Sequence, residues 1–213
     1  GGEAGALHLE DVLWSRILQL DEASREIVEL VAVASAPLEK GMAATTLRQR
    51  FADFVRRVGH LRLVKLVQTR GVRKGDRIEL FHDRVRRAVL AHLGPAKRRN
   101  YHERLALAFE GRPNAAPEML AIHWGGAGDG QRAFHYTKVA ALEADRVLAF
   151  DRAARLHRRS LDLLPADSRE GTAIRARLGD ALVNAGRGSE AANAYLAAAQ
   201  EASECVVELY AKA

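Results

Sequence analysis

Arg175-Ala176-Arg177-Leu178-Gly179-Asp180-Ala181-Leu182, followed beyond Gly186-Arg187-Gly188 by Ala191-Ala192-Asn193-Ala194-Tyr195-Leu196-Ala197-Ala198, is the stretch that decides how this chain is read. Alanine and leucine are the strongest helix formers, and the glycines at 186 and 188 break what would otherwise be one helix. The two segments form a helical hairpin, from about Ser168 to Ala185 and from Ser189 to Ala202. Gly179, Ala191 and Ala198 are small, and Leu178, Leu182 and Tyr195 are large. A single hairpin of this kind cannot bury its own apolar face, so neighbours must stack on it.

Those positions resemble a tetratricopeptide repeat, whose period is about 34 residues. Leu178-Gly179 matches its Leu-Gly pair, Leu182 its next large site, and Ala191, Tyr195 and Ala198 the small-aromatic-small series of the second helix. Arg175 stands at the Trp-type site and Ser203 at the Pro-type site, and both are departures. The preceding unit fits more loosely, with Ala140-Ala141 in a first helix and Ala153, His157, Ser160 and Pro165 in a second. Ala153 and Ala191 are 38 positions apart, which places the surplus residues near Ser168 to Gly171. Val206, Val207, Leu209 and Tyr210 look like the first helix of a further unit.

Composition agrees with helices packed on helices. The 213 residues are 48% hydrophobic, 28% charged and only 6% aromatic. That balance belongs to a folded globular chain. The one cysteine, Cys205, excludes an internal disulfide framework and zinc-finger spacing, and fits a reducing, cytoplasmic compartment. No apolar run reaches the roughly 18 residues of a membrane helix. The net charge of +6 suits an acidic partner, a nucleic acid or a nucleotide phosphate, but the charges are spread and not blocked, which favours an arginine-rich proteome with no such partner. With no initiator Met, the chain reads as a piece of a longer protein.

The N-terminal half has another organisation. Residues 1–20 read as a lead-in helix, with Val12, Leu13, Ile17 and Leu20 on one face. Asp21 caps a helix running to about Ser35, where Pro37 stops it. Short helices are expected at Thr45 to Arg50 and Ala52 to Leu61. Leu63 to Thr69 and Arg77 to His82 then read as the arms of a β-hairpin around Arg70-Gly71-Val72-Arg73-Lys74-Gly75-Asp76. Three helices and then a hairpin is the order of a winged helix. After it come helices at Asp83 to Leu93, Ala96 to Glu110, Ala116 to Trp124, Gln131 to Asp145 and Leu148 to Leu164. The expected fold is therefore mainly α, with a lead-in helix at 1–20, a winged-helix-like domain with a small β-hairpin at 21–94, and a TPR-like antiparallel helical array at 95–213.

Phe81-His82-Asp83-Arg84-Val85-Arg86, His102-Glu103-Arg104-Leu105-Ala106, the Pro117–Trp124 segment and Leu148-Ala149-Phe150-Asp151-Arg152-Ala153-Ala154 occur here in an order that resembles bacterial STAND-class signalling ATPases. That family includes serine/threonine kinases with a C-terminal ATPase and a tetratricopeptide tail. The resemblance covers the chain from about Leu20. It implies a cytoplasmic regulatory part of a signal-transduction protein, whose winged helix packs on an upstream nucleotide-binding domain and whose repeats take a peptide or protein partner. It also implies that His82 senses a phosphate of ADP bound to the parent protein. The competing reading of His82-Asp83 is local: Asp83 caps the helix beginning at Arg84, and His82 merely finishes the hairpin.

Catalytic signatures are missing from the sequence. It holds no G-x-x-x-x-G-K-[S/T] loop, no kinase motif and no G-x-S-x-G. ATP and ADP are therefore expected as cofactors of the parent only. The run Gly125 to Gly130 follows a helix and lacks a lysine, so a flexible connection is expected in place of a phosphate loop. His123 and His135 flank it without a carboxylate or thiol at ligand spacing, and no metal site is expected. Arg48, Arg50, Arg56, Arg57, Arg62 and Lys65 crowd around the third helix. In a DNA-binding winged-helix transcriptional regulator, the alternative reading, this element would enter the major groove. The internal use implied by the resemblance makes DNA the disfavoured partner.

Overall fold

The computed structural model describes residues 2–69, 75–165 and 168–211, with side chains at 10–69, 75–165 and 168–202. The chain is mainly helical with one small antiparallel sheet, and it divides into two compact units, Gly1–Gly111 and Arg112–Ala213.

Unit 1 contains α1 (Gly2–Leu18), α2 (Glu22–Ala34), β1 (Leu38–Glu39), α3 (Lys40–Thr46), α4 (Phe51–Leu63), β2 (Val67–Thr69), β3 (Arg77–Leu80), α5 (Asp83–His92) and α6 (Pro95–Glu110). Asp21 caps α2 as expected. Its carboxylate accepts the Ser24 N–H at 3.0 Å and the Ser24 hydroxyl at 2.6 Å. The Ser24 hydroxyl bond, more than the nearby Arg57, holds the Asp21 carboxyl below its ordinary range. α2 ends at Ser35, whose φ of 58° turns the chain out of the helix.

β3 is the central strand, with order β1-β3-β2. Leu38 pairs with Ile78 on one side, and Val67 with Leu80 on the other. The sequence reading contained the β2–β3 hairpin but not β1, since two residues show no alternation. The helix expected at Thr45 to Arg50 forms earlier, over Lys40–Thr46, because Arg48 takes a φ of 55° and breaks the helical path. Arg70 to Lys74 of the expected turn lie outside the described residues.

Ile27, Leu30, Val31, Phe54, Val58, Leu61 and Ile78 form one core with Tyr101 and Leu105 of α6 and Ile17 of α1. Both flanking helices therefore pack into unit 1, which ends at Gly111. Val12, placed on the buried face from the sequence, is exposed. The most telling tie is polar. Glu29 of α2 is only 2% exposed, and its carboxylate accepts the Tyr101 hydroxyl at 2.7 Å and meets the Lys97 ammonium at 2.7 Å. Buried carboxylates persist only when partnered in this way.

Unit 2 contains α7 (Pro117–Ala127), α8 (Gly130–Arg146), α9 (Phe150–Asp162), α10 (Gly171–Asn184) and α11 (Gly188–Ala211). Each helix packs chiefly on the next one in the chain. The seam is built from alanines 140, 141, 144, 153, 154, 181 and 191 with Leu156, Leu178 and Leu182, so backbones approach closely. The α7–α8 connection is tight. Gly125 to Ala127 stay in α7, Gly128 turns at a φ of 88°, and Asp129 caps α8 through the Arg132 N–H at 2.9 Å. This corrects the expected flexible glycine loop. α11 runs unbroken past Ala202, so the separate helix expected from Cys205 is the continuation of α11. The side chains of Ser203, Cys205 and the residues after them lie outside the described set.

Candidate functional site

His82 lies where β3 hands over to α5. It is the residue before the helix, with an extended backbone (φ −142°, ψ 150°) and no side-chain cap bond. Its ring is exposed and meets Phe81 edge-on, with centroids 4.8 Å apart. Asp83 is not the cap; it is the first residue of α5, and its carboxylate stands 3.7 Å from Arg86 and 3.6 Å from Arg87. A carboxylate there complements the helix dipole. Capping thus does not occupy the imidazole, which can donate to an anion outside unit 1.

The six basic residues singled out around α4 divide into two sets. Arg56 pairs with Asp53 at 2.7 Å, and Arg57 lies 3.6 Å from Asp21. Arg48, Arg50, Arg62 and Lys65 are exposed and meet no carboxylate among the described residues. Arg48 and Arg50 precede α4, whereas Arg62 and Lys65 close it. The outward stripe between them is Ala52, Arg56, His60 and Leu63, with Leu63 82% exposed. One cation already neutralised by Asp53 gives that stripe little pull on a phosphate backbone.

Charge divides along the unit boundary. Residues 1–111 carry 20 of the 33 Lys and Arg and 14 of the 27 Asp and Glu, while residues 112–213 carry 13 of each. The whole surplus of +6 therefore belongs to unit 1.

In unit 2 the positions compared with a tetratricopeptide repeat lie chiefly in α8, α9, α10 and α11. Ala191 is 1% exposed and Ala153 fully buried. The Tyr195 ring lies on Gly179, and its hydroxyl donates to Asp180 at 2.7 Å. Arg175 pairs with Glu201 at 2.6 Å. His157 is buried, with Nε2 2.9 Å from Asp145. An open cleft of about 720 Å³ is lined by Phe134, His135, Lys138, Leu163, Pro165 and Glu170. Lys138 pairs with Glu170 and holds its ammonium 5.2 Å from the centre of the Phe134 ring. The lining mixes apolar and polar side chains, as in sites that hold a side chain and fix its orientation. Sequence reading missed this cleft because its residues come from α8 and from the connection between α9 and α10, which are distant in sequence.

His123 is fully buried and His135 is exposed against Tyr136, so the two histidines flanking the glycine run serve different surroundings. Among the described residues, no group of three or more His, Cys, Asp and Glu is placed to hold a metal ion, and no helix is long and apolar enough to cross a membrane. Comparison with family models, curated proteins and solved structures found no match for this chain.

Proposed function

We propose that this chain is a non-catalytic regulatory and protein-interaction module of a multidomain STAND-class signalling ATPase or serine/threonine kinase. In this reading unit 1 is a winged helix that reports the nucleotide state of an upstream domain, and unit 2 is a tetratricopeptide-like array that receives a peptide or protein partner. The observation that carries the reading is the order helix–short strand–helix–helix–hairpin, with β3 between β1 and β2 and His82 two residues beyond its end. A winged helix has that arrangement, and its hairpin delivers His82 to an exposed corner. The chain-order packing of α7 to α11 over small residues supports the repeat assignment.

ATP and ADP belong to the parent protein in this proposal. The test compares two samples purified alike, the intact parent and residues 1–213 alone. The parent retains ADP through purification and carries a phosphate-binding loop upstream, whereas the fragment retains none. A parent with no such loop and no bound nucleotide contradicts the proposal.

The concentration of net charge in unit 1 favours a second reading, a DNA-binding regulator. Its test is fluorescence anisotropy with duplex DNA across a salt series. Under the first reading binding is weak and collapses as salt rises, because only counterion release drives it. Tight, sequence-selective binding at physiological salt favours the second.

A further inference from the structure

The turn between α8 and α9 holds a leucine where two other turns of unit 2 hold glycine. Leu148 has a φ of 58°, the left-handed conformation that Gly128 takes between α7 and α8 and Gly186 takes between α10 and α11. A Cβ crowds the backbone in that conformation, and a bulky residue there is an outlier. The side chain is not buried in return: Leu148 is 69% exposed, and so is Val147 before it. The turn itself closes through backbone bonds, from the Leu148 N–H to the Asp145 carbonyl at 3.1 Å and from the Ala149 N–H to the Ala144 carbonyl at 2.9 Å. Strain that keeps an apolar side chain in water is not explained by packing within unit 2, and such strain gathers at ligand-holding positions.

Leu148 lines a recess of about 470 Å³, with Phe150 and Arg152 on its own side and Asn184 and Ala185 at the end of α10. The recess has room for a large apolar side chain. The exposed Asn184 amide has no side-chain partner among the described residues, so it offers both a donor and an acceptor. From Arg152 onward the charge is one-sided. Arg152, Arg155 and Arg159 are exposed at helical spacing along α9, which carries four arginines against two aspartates. Arg152 and Arg155 share one carboxylate, Glu118, at 2.6 and 3.4 Å. Arg159 meets none among the described residues. Asp151 lies 3.6 Å from Arg187.

We propose that the Leu148 recess and the Arg152–Arg155–Arg159 stripe form a docking surface for an acidic protein segment that carries one large apolar side chain. The apolar side chain packs on Leu148 and Phe150, Asn184 pairs with the main chain beside it, and the flanking carboxylates meet Arg155 and Arg159. A second copy of this chain fits less well, because a stable dimer uses roughly 20–30 residues a side and a two-fold contact would set this arginine-rich patch against itself. The proposal deepens the reading of unit 2 as an array that receives a protein partner, and rests on that part of it.

The probe is a short fluorescein-labelled peptide of glutamates around a single leucine. Its binding to residues 1–213 is read by fluorescence anisotropy and mapped by amide chemical shifts. Binding should shift Leu148, Phe150 and Asn184. Leu148→Gly should weaken it about tenfold or more, as removal of a central anchor does. The same variant should melt no lower than wild type, because glycine accepts the left-handed turn. Arg155→Glu with Arg159→Glu should weaken binding comparably, while Leu196→Ser, at an exposed position of α11, should leave it unchanged. Wild-type affinity in Leu148→Gly, a lower melting temperature for that variant, or equal binding of the same peptide with lysines for glutamates overturns the proposal. So does a dimer in sedimentation that Leu148→Gly dissociates, which would make the face a self-interface. Shifts confined to the cleft beside Phe134 sink this surface but leave unit 2 a partner-binding array.

Discussion

The ring of Tyr195 lies directly across the backbone of Gly179. A Cβ on residue 179 would fall 2.5 Å from Cε1 of that ring. α10 and α11 can cross as they do because one contributes no side chain and the other a flat one. Gly179→Ala must push the ring outward and break the Tyr195–Asp180 hydrogen bond. The intrinsic helix preference of alanine over glycine, about 1 kcal/mol, is too small to compensate. We expect Gly179→Ala to destabilise unit 2 by about 1–2 kcal/mol. The cost should shrink sharply in Gly179→Ala/Tyr195→Ala measured against Tyr195→Ala by chemical denaturation. An additive double mutant would mean that the two residues do not share the crossing.

A second crossing gives an independent check. Ala191 is buried in the same seam. Ala191→Leu is expected to cost about 1–3 kcal/mol by overpacking, whereas the exposed neighbour Ala192→Leu should be near neutral. Equal melting temperatures for the two variants would count against the close approach.

These features differ in how legible they were. The crossings could be read because small and large residues alternate at fixed helical spacing. The Asp21 cap and the Pro37 stop could be read because each acts locally. β1 could not, since Leu38–Glu39 becomes a strand only by pairing with Ile78 and Arg77. Nor could the unit boundary. Gly94-Pro95 is strong punctuation, yet α6 returns to unit 1 through Tyr101 and Leu105, and no local pattern announces a hydrogen bond from Tyr101 to Glu29. Gly125 to Gly130 misled for the opposite reason: glycine permits a loop but does not require one, and only Gly128 has a left-handed backbone. Of the candidate site, His82 was named from its motif, but its place before α5, with Asp83 engaged by arginines, needed the fold.

Tyr101→Phe tests the polar tie between α2 and α6. It removes one donor from a carboxylate with almost no access to water, leaving Lys97 alone to satisfy it. The expected loss is about 1.5–3 kcal/mol for unit 1, the usual cost of removing a bond to a buried charge. The paired change Tyr101→Phe with Glu29→Leu should recover part of it. A single variant as stable as wild type would show that the carboxylate finds other partners.

His102 makes unit 1 sensitive to acid. Burial, reinforced by Arg98, pushes its imidazole below the ordinary histidine range. The unfolded chain then binds a proton more readily than the folded one, so stability is complete above about pH 6.5 and falls as pH drops below it. Denaturation midpoints at pH 7.5 and 5.5 should differ in wild type and converge in His102→Gln. A midpoint that is unchanged in wild type would contradict the assignment.

The central claim is that unit 1 reports a nucleotide state through His82, and ADP retention by the intact parent protein tests it most directly. The exposed imidazole at the start of α5 can donate to a phosphate oxygen, and a helix N-terminus favours the anion. His82→Ala removes the donor without disturbing a buried contact, so the fold should be unaffected. The account predicts that parent protein carrying His82→Ala loses bound ADP about tenfold or more faster than wild type, the loss of one hydrogen bond to a charged group, and shows raised basal activity. Retention of ADP at the wild-type rate, with activity still silent, would contradict it and leave His82 as the residue that ends a hairpin.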